Sequence, residues 1–502
     1  MLTNEQLLAE NKVLAQKVEQ LEKLNKWYEE QLKLNRKKMF AASSERSDME
    51  QINLFNEVEA EAQAISPEPT IEEITSYKRK KKKGGREKLL AELPVETIEY
   101  TVDDTTCPKC DNELHIMKKE IRKELKIVPA KVSVVEHVSY VYSCRNCEKT
   151  DTHTPIITSL SPKALIPKSL VSPSVMAYIM NQKFVNSMPL YRQEQEFKRF
   201  DVSLSRQNLS NWMIKGANIL KPLADRMKEI MLSKEVLHAD ETTLEVLCEP
   251  GRPAQTTSYM WLYRTSGCDE PIVIYDYQEG RSGIYAKNFL NGFKGYLHTD
   301  GWGGYHRLEP DITLCGCWAH ARRKFDEAMV DKSDCIASVG IAYCNKLFEI
   351  ERDIADKSIE EKFAIRQEKS KVVAEAFYAW VDEQITRVLP KSLVGTALQY
   401  ALNQKKYLLS FLNDGRLELS NNRAERSLKP FVIGRKNWLF CNTPRGANSS
   451  AIIYSIIETA KENGLKPLEY LAFVFEQYQK NEDIKILLPW SNSIPESCKV
   501  KK

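Results

Sequence analysis

Between residues 234 and 325 the chain alternates short apolar, β-branched and aromatic runs with turn residues, and two of those runs end on an aspartate. Val236-Leu237-His238-Ala239-Asp240 leads into 242–247 as a first strand, 259–263 and 272–277 follow, and residues 282–290 suit a short helix. Tyr296-Leu297-His298-Thr299-Asp300 reads as a fourth strand, closed by the turn Gly301-Trp302-Gly303-Gly304-Tyr305. Residues 312–317 make a fifth strand and 319–329 a helix. Such a mixture needs a layered α/β domain rather than a helical bundle or a β-sandwich.

Three strands, helix, strand, turn, strand, helix is the element order of a ribonuclease-H-like sheet. If that order holds, the first and fourth strands are neighbours and bring Asp240 and Asp300 together. A further carboxylate, Glu425, lies on a short helix expected over 419–428, capped by Ser420 and flanked by Arg423 and Arg426. Three converging carboxylates suit hard divalent cations, Mg2+ or Mn2+, and two such ions can drive displacement at a phosphodiester. With 69 acidic residues in 502, a trio can always be found. The context singles these out: an apolar strand, a glycine-rich turn and an arginine-rich helix. Glu241 is expected on the opposite strand face from Asp240, and so to matter far less. His298 shares the Asp300 side, in a plain polar contact.

Upstream, Leu7, Asn11, Leu14, Val18, Leu21, Asn25, Tyr28 and Leu32 recur at alternating spacings of four and three, a heptad seam over 1–40 that predicts a coiled-coil helix and a homo-oligomer. Residues 41–94 read as a linker, polar and acidic, and then basic from Lys78 to Lys83 with Gly84, Gly85 and Arg86 after it; Lys80, Lys81, Lys82, Lys83 and Arg86 are candidate phosphate contacts. Across 95–158, Cys107-Pro-Lys-Cys110 and Cys144-Arg-Asn-Cys147 bracket 33 residues of strand-like alternation through Val132, Val134, Val138, Tyr140 and Tyr142. Two such pairs complete a closed tetrathiolate, so the expectation is one structural Zn2+ in a zinc-ribbon-like β module.

Residues 159–233 read as helical: 174–186, then 190–200, a turn at Asp201-Val202-Ser203, and 205–216. Leu204, Leu209 and Trp212 should face inward, leaving Arg206, Gln207 and Asn208 outward in a helix-turn-helix DNA-binding segment. Residues 330–412 read as a helical insertion without evident chemistry, 413–460 as the rest of the core with the Glu425 helix, and 461–502 as a last helix over 465–478 and a tail. No run nears the ~18 apolar residues of a membrane span. The polar start predicts no secretory signal, and together these point to the cytoplasm and no membrane partner. Net charge is only +4, so the placement of charge says more about partners than its sum.

Four segments are specific enough to carry a resemblance. Ala239-Asp240-Glu241-Thr242, Thr299-Asp300-Gly301-Trp302-Gly303-Gly304-Tyr305, Cys317-Trp318-Ala319-His320-Ala321-Arg322-Arg323-Lys324-Phe325 and Ser420-Asn421-Asn422-Arg423-Ala424-Glu425-Arg426 resemble the transposases of the insertion-sequence-66 family. The likeness covers nearly the whole chain. It implies a DDE transposase with a ribonuclease-H-like core interrupted by a helical insertion, and a metal-binding triad at Asp240, Asp300 and Glu425. Cys317 and His320 resemble a Cys-x-x-His signature of several DDE groups, with His320 either near the scissile phosphate or packing at the strand end. Arg423, Arg426, Lys429, Arg435 and Lys436 would hold phosphates beside Glu425. Element ends and target DNA are the implied partners, with small accessory proteins of the same element. The competing expectation is a zinc and helix-turn-helix regulator whose core is catalytically silent; intact carboxylates at all three motif positions favour the enzyme.

Overall fold

The computed structural model describes residues 131–143, 156–159, 162–329 and 335–501, together with helical positions between 11 and 32. Cys107, Cys110, Cys144 and Cys147 of the expected zinc module, and Lys80, Lys81, Lys82, Lys83 and Arg86 of the basic run, lie outside the described residues. Along 11–32 the described positions are helical, with Leu14, Val18, Leu21, Tyr28 and Leu32 all more than half exposed. Of the alternation around residues 132–142, only the end forms a strand: β1 (Val141–Ser143) pairs antiparallel with β2 (Ile156–Thr158), while 131–140 are irregular and exposed.

Three helices follow. α1 (Pro173–Phe184) is capped by Ser172, and α2 (Leu190–Arg199) starts after Pro189. α3 (Arg206–Leu232) is capped by Ser205, whose hydroxyl accepts from the Asn208 amide. The helix expected to stop at residue 216 therefore runs 27 residues, straight through Pro222. Its buried stripe of Leu209, Trp212, Met213, Leu220, Met227 and Met231 explains this, because packing of an apolar face outweighs one unfavourable proline. The same apolar core joins α1–α3 to the sheet, so residues 162–233 do not form a separate body.

The sheet has five strands: β3 (Val236–Glu245), β4 (Thr257–Thr265), β5 (Val273–Gln278), β6 (Tyr296–His298) and β7 (Thr313–Cys315), in the order β5-β4-β3-β6-β7. β3, β4 and β5 form an antiparallel meander. β6 and β7 run parallel to β3, reached through α4 (Gly283–Phe289) and a 3-10 turn at Gly303–Leu308. The turn demands its glycines. Gly301 has φ +88°, and a Cβ on Gly304 would fall within the Trp302 ring.

α5 (Trp318–Ala328) begins the second core, which it shares with four helices of the insertion, α6 (Cys335–Asp353), α8 (Lys371–Gln384), α9 (Leu393–Asn403) and α10 (Lys405–Leu408), while α7 (Ile359–Ile365) between them buries no residue. α11 (Asn422–Trp438) carries Glu425 and extends ten residues past its expected end. α12 (Pro444–Glu462), a helix the sequence pattern did not separate from its neighbours, is buried on most of its length against β5 and α3. α13 (Pro467–Gln479) and α14 (Ile484–Leu487) follow. The expected tail instead packs back: Ile494 and Cys498 are buried, and the Lys466 amide donates to the Cys498 carbonyl.

One buried cation ties the insertion to the segment that delivers Glu425. Arg366 is 2% exposed; it pairs bidentately with Glu351 (2.8 and 2.6 Å) and donates to the carbonyls of Phe411 (3.2 Å), Asp414 (2.9 Å) and Leu417 (2.8 Å). Truncation leaves a half-buried carboxylate and three carbonyls unpaired. Arg366→Ala should cost about 3–5 kcal/mol in urea unfolding; a loss under ~1 kcal/mol would show that this tie does not hold the two parts together.

Candidate active site

The parallel register sets His238 beside His298. Their rings stack at 4.5 Å and 15°. Both are fully buried and both are held neutral: burial pushes His238 down to about 3 and His298 well below its ordinary value. Two residues beyond each histidine comes an aspartate: Asp240 within β3, where the pairing with β6 has ended but that with β4 continues, and Asp300 just past the end of β6. Asp240 Oδ1 accepts from the Glu241 amide (2.9 Å), and Asp300 Oδ1 from the Trp302 amide (2.9 Å).

α11 brings the third carboxylate. Its N-terminus is fixed by Asn421, fully buried, whose side chain does no helix capping. The amide Nδ2 donates to the Ala239 carbonyl (2.8 Å), Oδ1 accepts from His238 Nδ1–H (3.0 Å), and the backbone N–H donates to Cys317 Sγ (3.1 Å). Asn421 thus clamps α11 to β3 next to Asp240 and to the start of α5. Ser420, expected as the cap, precedes this residue. On α5, His320 Nδ1 lies 3.6 Å from Glu425 Oε1, and Arg323 donates to Glu425 Oε2 (3.4 Å).

The electrostatics record the crowding. Asp240 is raised well above the usual carboxylate range, first by burial and then by repulsion from Glu241, Asp300 and Glu425. Asp240 thus senses both Asp300 and Glu425, yet among the described residues the trio whose ligand atoms all lie within 4.8 Å is Cys317, His320 and Glu425. Glu241 departs from expectation. Its side chain is 1% exposed, accepts from Tyr305 Oη (2.5 Å) and pairs with Arg281 (2.6 Å), which also reaches Asp300 Oδ2 (3.7 Å) and stacks over Trp302 at 4.7 Å. Strand geometry places the Cβ, but Arg281 links the Glu241 carboxylate back to Asp300 and so into the charge network of the site.

The insertion also contributes. Tyr400 Oη donates to the Asp300 carbonyl (3.1 Å) and Gln404 Nε2 to the Gly301 carbonyl (3.3 Å), which steadies the Asp300 turn from α9 and from the residue that joins it to α10. Asn421, Arg281, Tyr400 and Gln404 carry no spacing signal, since each acts through distant sequence. Of the candidate DNA contacts, Gln207 and Asn208 are exposed at the start of α3, and Arg206 is exposed but paired with Glu194 (3.3 Å). Arg426 and Lys429 are exposed on α11, and Lys436 is half-buried there. Arg423 is engaged by Glu418 (2.6 Å), and Arg435 donates to the Thr242 and Thr243 hydroxyls (3.1 and 3.0 Å). Both therefore anchor α11 within the chain.

A family model described as "Transposase IS66 family" matches residues 168–449, more than half of the chain and all of this site. The chain belongs to the IS66 transposase family. Further models match 104–148 ("zinc-finger binding domain of transposase IS66"), which holds all four paired cysteines, 27–98 ("Transposase C of IS166 homeodomain") and 455–490 ("IS66 C-terminal element"). Two proteins of Sinorhizobium fredii (strain NBRC 101917 / NGR234), both named uncharacterized, are similar along most of their length. One, y4qI, is 31% identical over 456 residues, 87% of this chain and 82% of the relative; the other, y4hP, is 31% identical over 412 residues, 77% and 73%. An IS66 transposase domain implies DNA as partner and a divalent metal, and the zinc-finger domain implies zinc. No described helix is long and apolar enough to cross a membrane.

The raised Asp240 has a consequence for the metal-free protein. A carboxylate harder to ionise in the folded than in the unfolded chain contributes fully below pH ~4 and loses that contribution as pH rises through its folded value. Asp240→Asn should therefore raise the metal-free thermal midpoint at pH 7–8, with the gain fading toward pH 4. A lower midpoint at pH 7.5 would show that Asp240 is not under repulsion.

Proposed function

We propose that this IS66 family member is a DNA transposase that binds the ends of its element and carries out metal-dependent phosphodiester cleavage and strand transfer through Asp240, Asp300 and Glu425. The observation carrying this is the placement of Asp240 on β3, with Asp300 just past the neighbouring parallel strand β6 and Glu425 on the packed helix α11; burial first, then repulsion from Glu241, Asp300 and Glu425, raises the Asp240 carboxyl. A strand order of β5-β4-β3-β6-β7 supports a ribonuclease-H-like core, interrupted between β7 and α11 by the helical insertion.

The donor set fits hard cations, Mg2+ or Mn2+: carboxylate oxygens, with one buried carboxyl whose charge has too few donors around it. When bound, such ions supply Lewis acidity to the attacking and leaving oxygens. Asp240, Asp300 and Glu425 would hold them. Arg281 holds Glu241 and Asp300 in place from one side, while Arg323 orients Glu425 from the other. Asn421 fixes the distance between Glu425 and the strands. His320 faces Glu425 and Cys317 accepts from Asn421, which supports positioning roles for both.

DNA would be engaged at the start of α3 through Arg206, Gln207 and Asn208, along α11 through Arg426, Lys429 and Lys436, and by the basic run upstream. Cys107, Cys110, Cys144 and Cys147 would share one structural Zn2+. Residues 1–40 would join copies of the chain, as pairing two DNA ends requires. Small companion proteins are a further proposed partner, and the cytoplasm the proposed site of action.

Asp240→Asn, Asp300→Asn and Glu425→Gln should each abolish Mg2+-dependent nicking of an end-containing duplex, by at least about 1,000-fold, because each removes charge needed to hold the ions. End binding by gel shift should survive, since it rests on α3 and the basic run. Nicking that persists in any of the three would remove that residue from the site.

A further inference from the structure

Glu425 faces two sites. Beyond its repulsion with Asp240, it completes a trio with Cys317 and His320 whose ligand atoms all lie within 4.8 Å of one another. His320 Nδ1 and Glu425 Oε1 are both buried and neither has a hydrogen-bond partner. Their separation of 3.6 Å is too long for a hydrogen bond. It is close to the roughly 3.4 Å edge of a tetrahedron built on metal–ligand bonds of about 2.0–2.2 Å.

The donor chemistry differs from that of the carboxylates. One sulfur, one imidazole nitrogen and one carboxylate oxygen suit a borderline ion such as Zn2+, and disfavour Mg2+. A thiolate, a neutral imidazole and a carboxylate would also balance the ion's two charges. Supporting groups are already in place. Asn421 N–H donates to Cys317 Sγ (3.1 Å), and Arg323 occupies the other oxygen, Glu425 Oε2 (3.4 Å), leaving Oε1 free. Arg323 Nη1 also stands 3.5 Å from His320 Nε2; it is half exposed and can swing away when that nitrogen carries the proton.

We propose that Cys317, His320 and Glu425 form a second metal pocket, selective for zinc-class ions, with one coordination position left to water. Its consequence rests on the triad proposed above. Because Glu425 belongs to both sets, a zinc ion here draws that carboxylate away from Asp240 and Asp300 and silences cleavage.

The test is zinc content of the full chain by equilibrium dialysis at buffered free zinc, in wild type, Cys317→Ser and His320→Asn. Each variant should bind one zinc fewer than wild type, whatever the total contributed by the paired cysteines upstream. Cys317 is fully buried, so His320→Asn, at a partly exposed position, guards against misfolding; far-ultraviolet circular dichroism of both should match wild type. Equal zinc content in wild type and a folded His320→Asn overturns the pocket. The consequence is read separately: micromolar zinc should suppress Mg2+-dependent nicking by wild type at least 10-fold, reversibly on chelation. Loss of one zinc without such suppression would keep the pocket and remove Glu425 from the catalytic set.

Discussion

β6 pairs in parallel with β3 so that His238 stands beside His298, and two residues further along each chain comes an aspartate, Asp240 within β3 and Asp300 just past β6. This register is what the rest of the site depends on. A slip of β6 by one residue would turn His298 to the other face, away from His238, and misplace Asp300 relative to Asp240. The stacked, neutral imidazoles fill the space beneath the carboxylates without adding charge. Asn421 reads the same register from above, since its amide bridges His238 and the Ala239 carbonyl and so fixes where α11 can start. Glu425, four residues along that helix, then arrives one turn above the clamp.

Surrounding a buried carboxyl with other carboxylates is costly without a cation. Asp240 bears the cost through burial and the repulsion of three neighbours, and only Glu241 and Asp300 share a nearby arginine, Arg281. Stability given up at one place is restored at others. The two apolar cores, the buried Arg366 network and the docking of Arg435 on Thr242 and Thr243 hold the frame that carries the carboxylates. The helical insertion belongs to that frame, because Tyr400 and Gln404 reach the Asp300 turn from it.

The sequence made the strands legible because their alternation and terminal turns are local. β3, β6 and the Gly301–Tyr305 turn lie close to where patterning puts them, and Asp240, Asp300 and Glu425 stand out by local context. Helix ends were less legible. α3 runs through Pro222 and α11 through Pro430 because buried faces on distant elements sustain them. What could not be read were contacts between residues far apart in sequence: Asn421 with His238, Arg281 with Glu241, Tyr400 with Asp300. Glu241 shows the limit clearly. Strand geometry gives its face, but only the fold reveals that Tyr305 and Arg281 hold it within the charge network.

Anomalous scattering from crystals soaked in Mn2+ tests the central claim most directly, because it reports where a hard cation settles regardless of turnover. The account predicts a manganese peak within coordinating distance of both Asp240 and Asp300, on the side facing Glu425, and its loss in Asp240→Asn. A well-occupied manganese peak elsewhere on the chain, with none between the two aspartates, would contradict it.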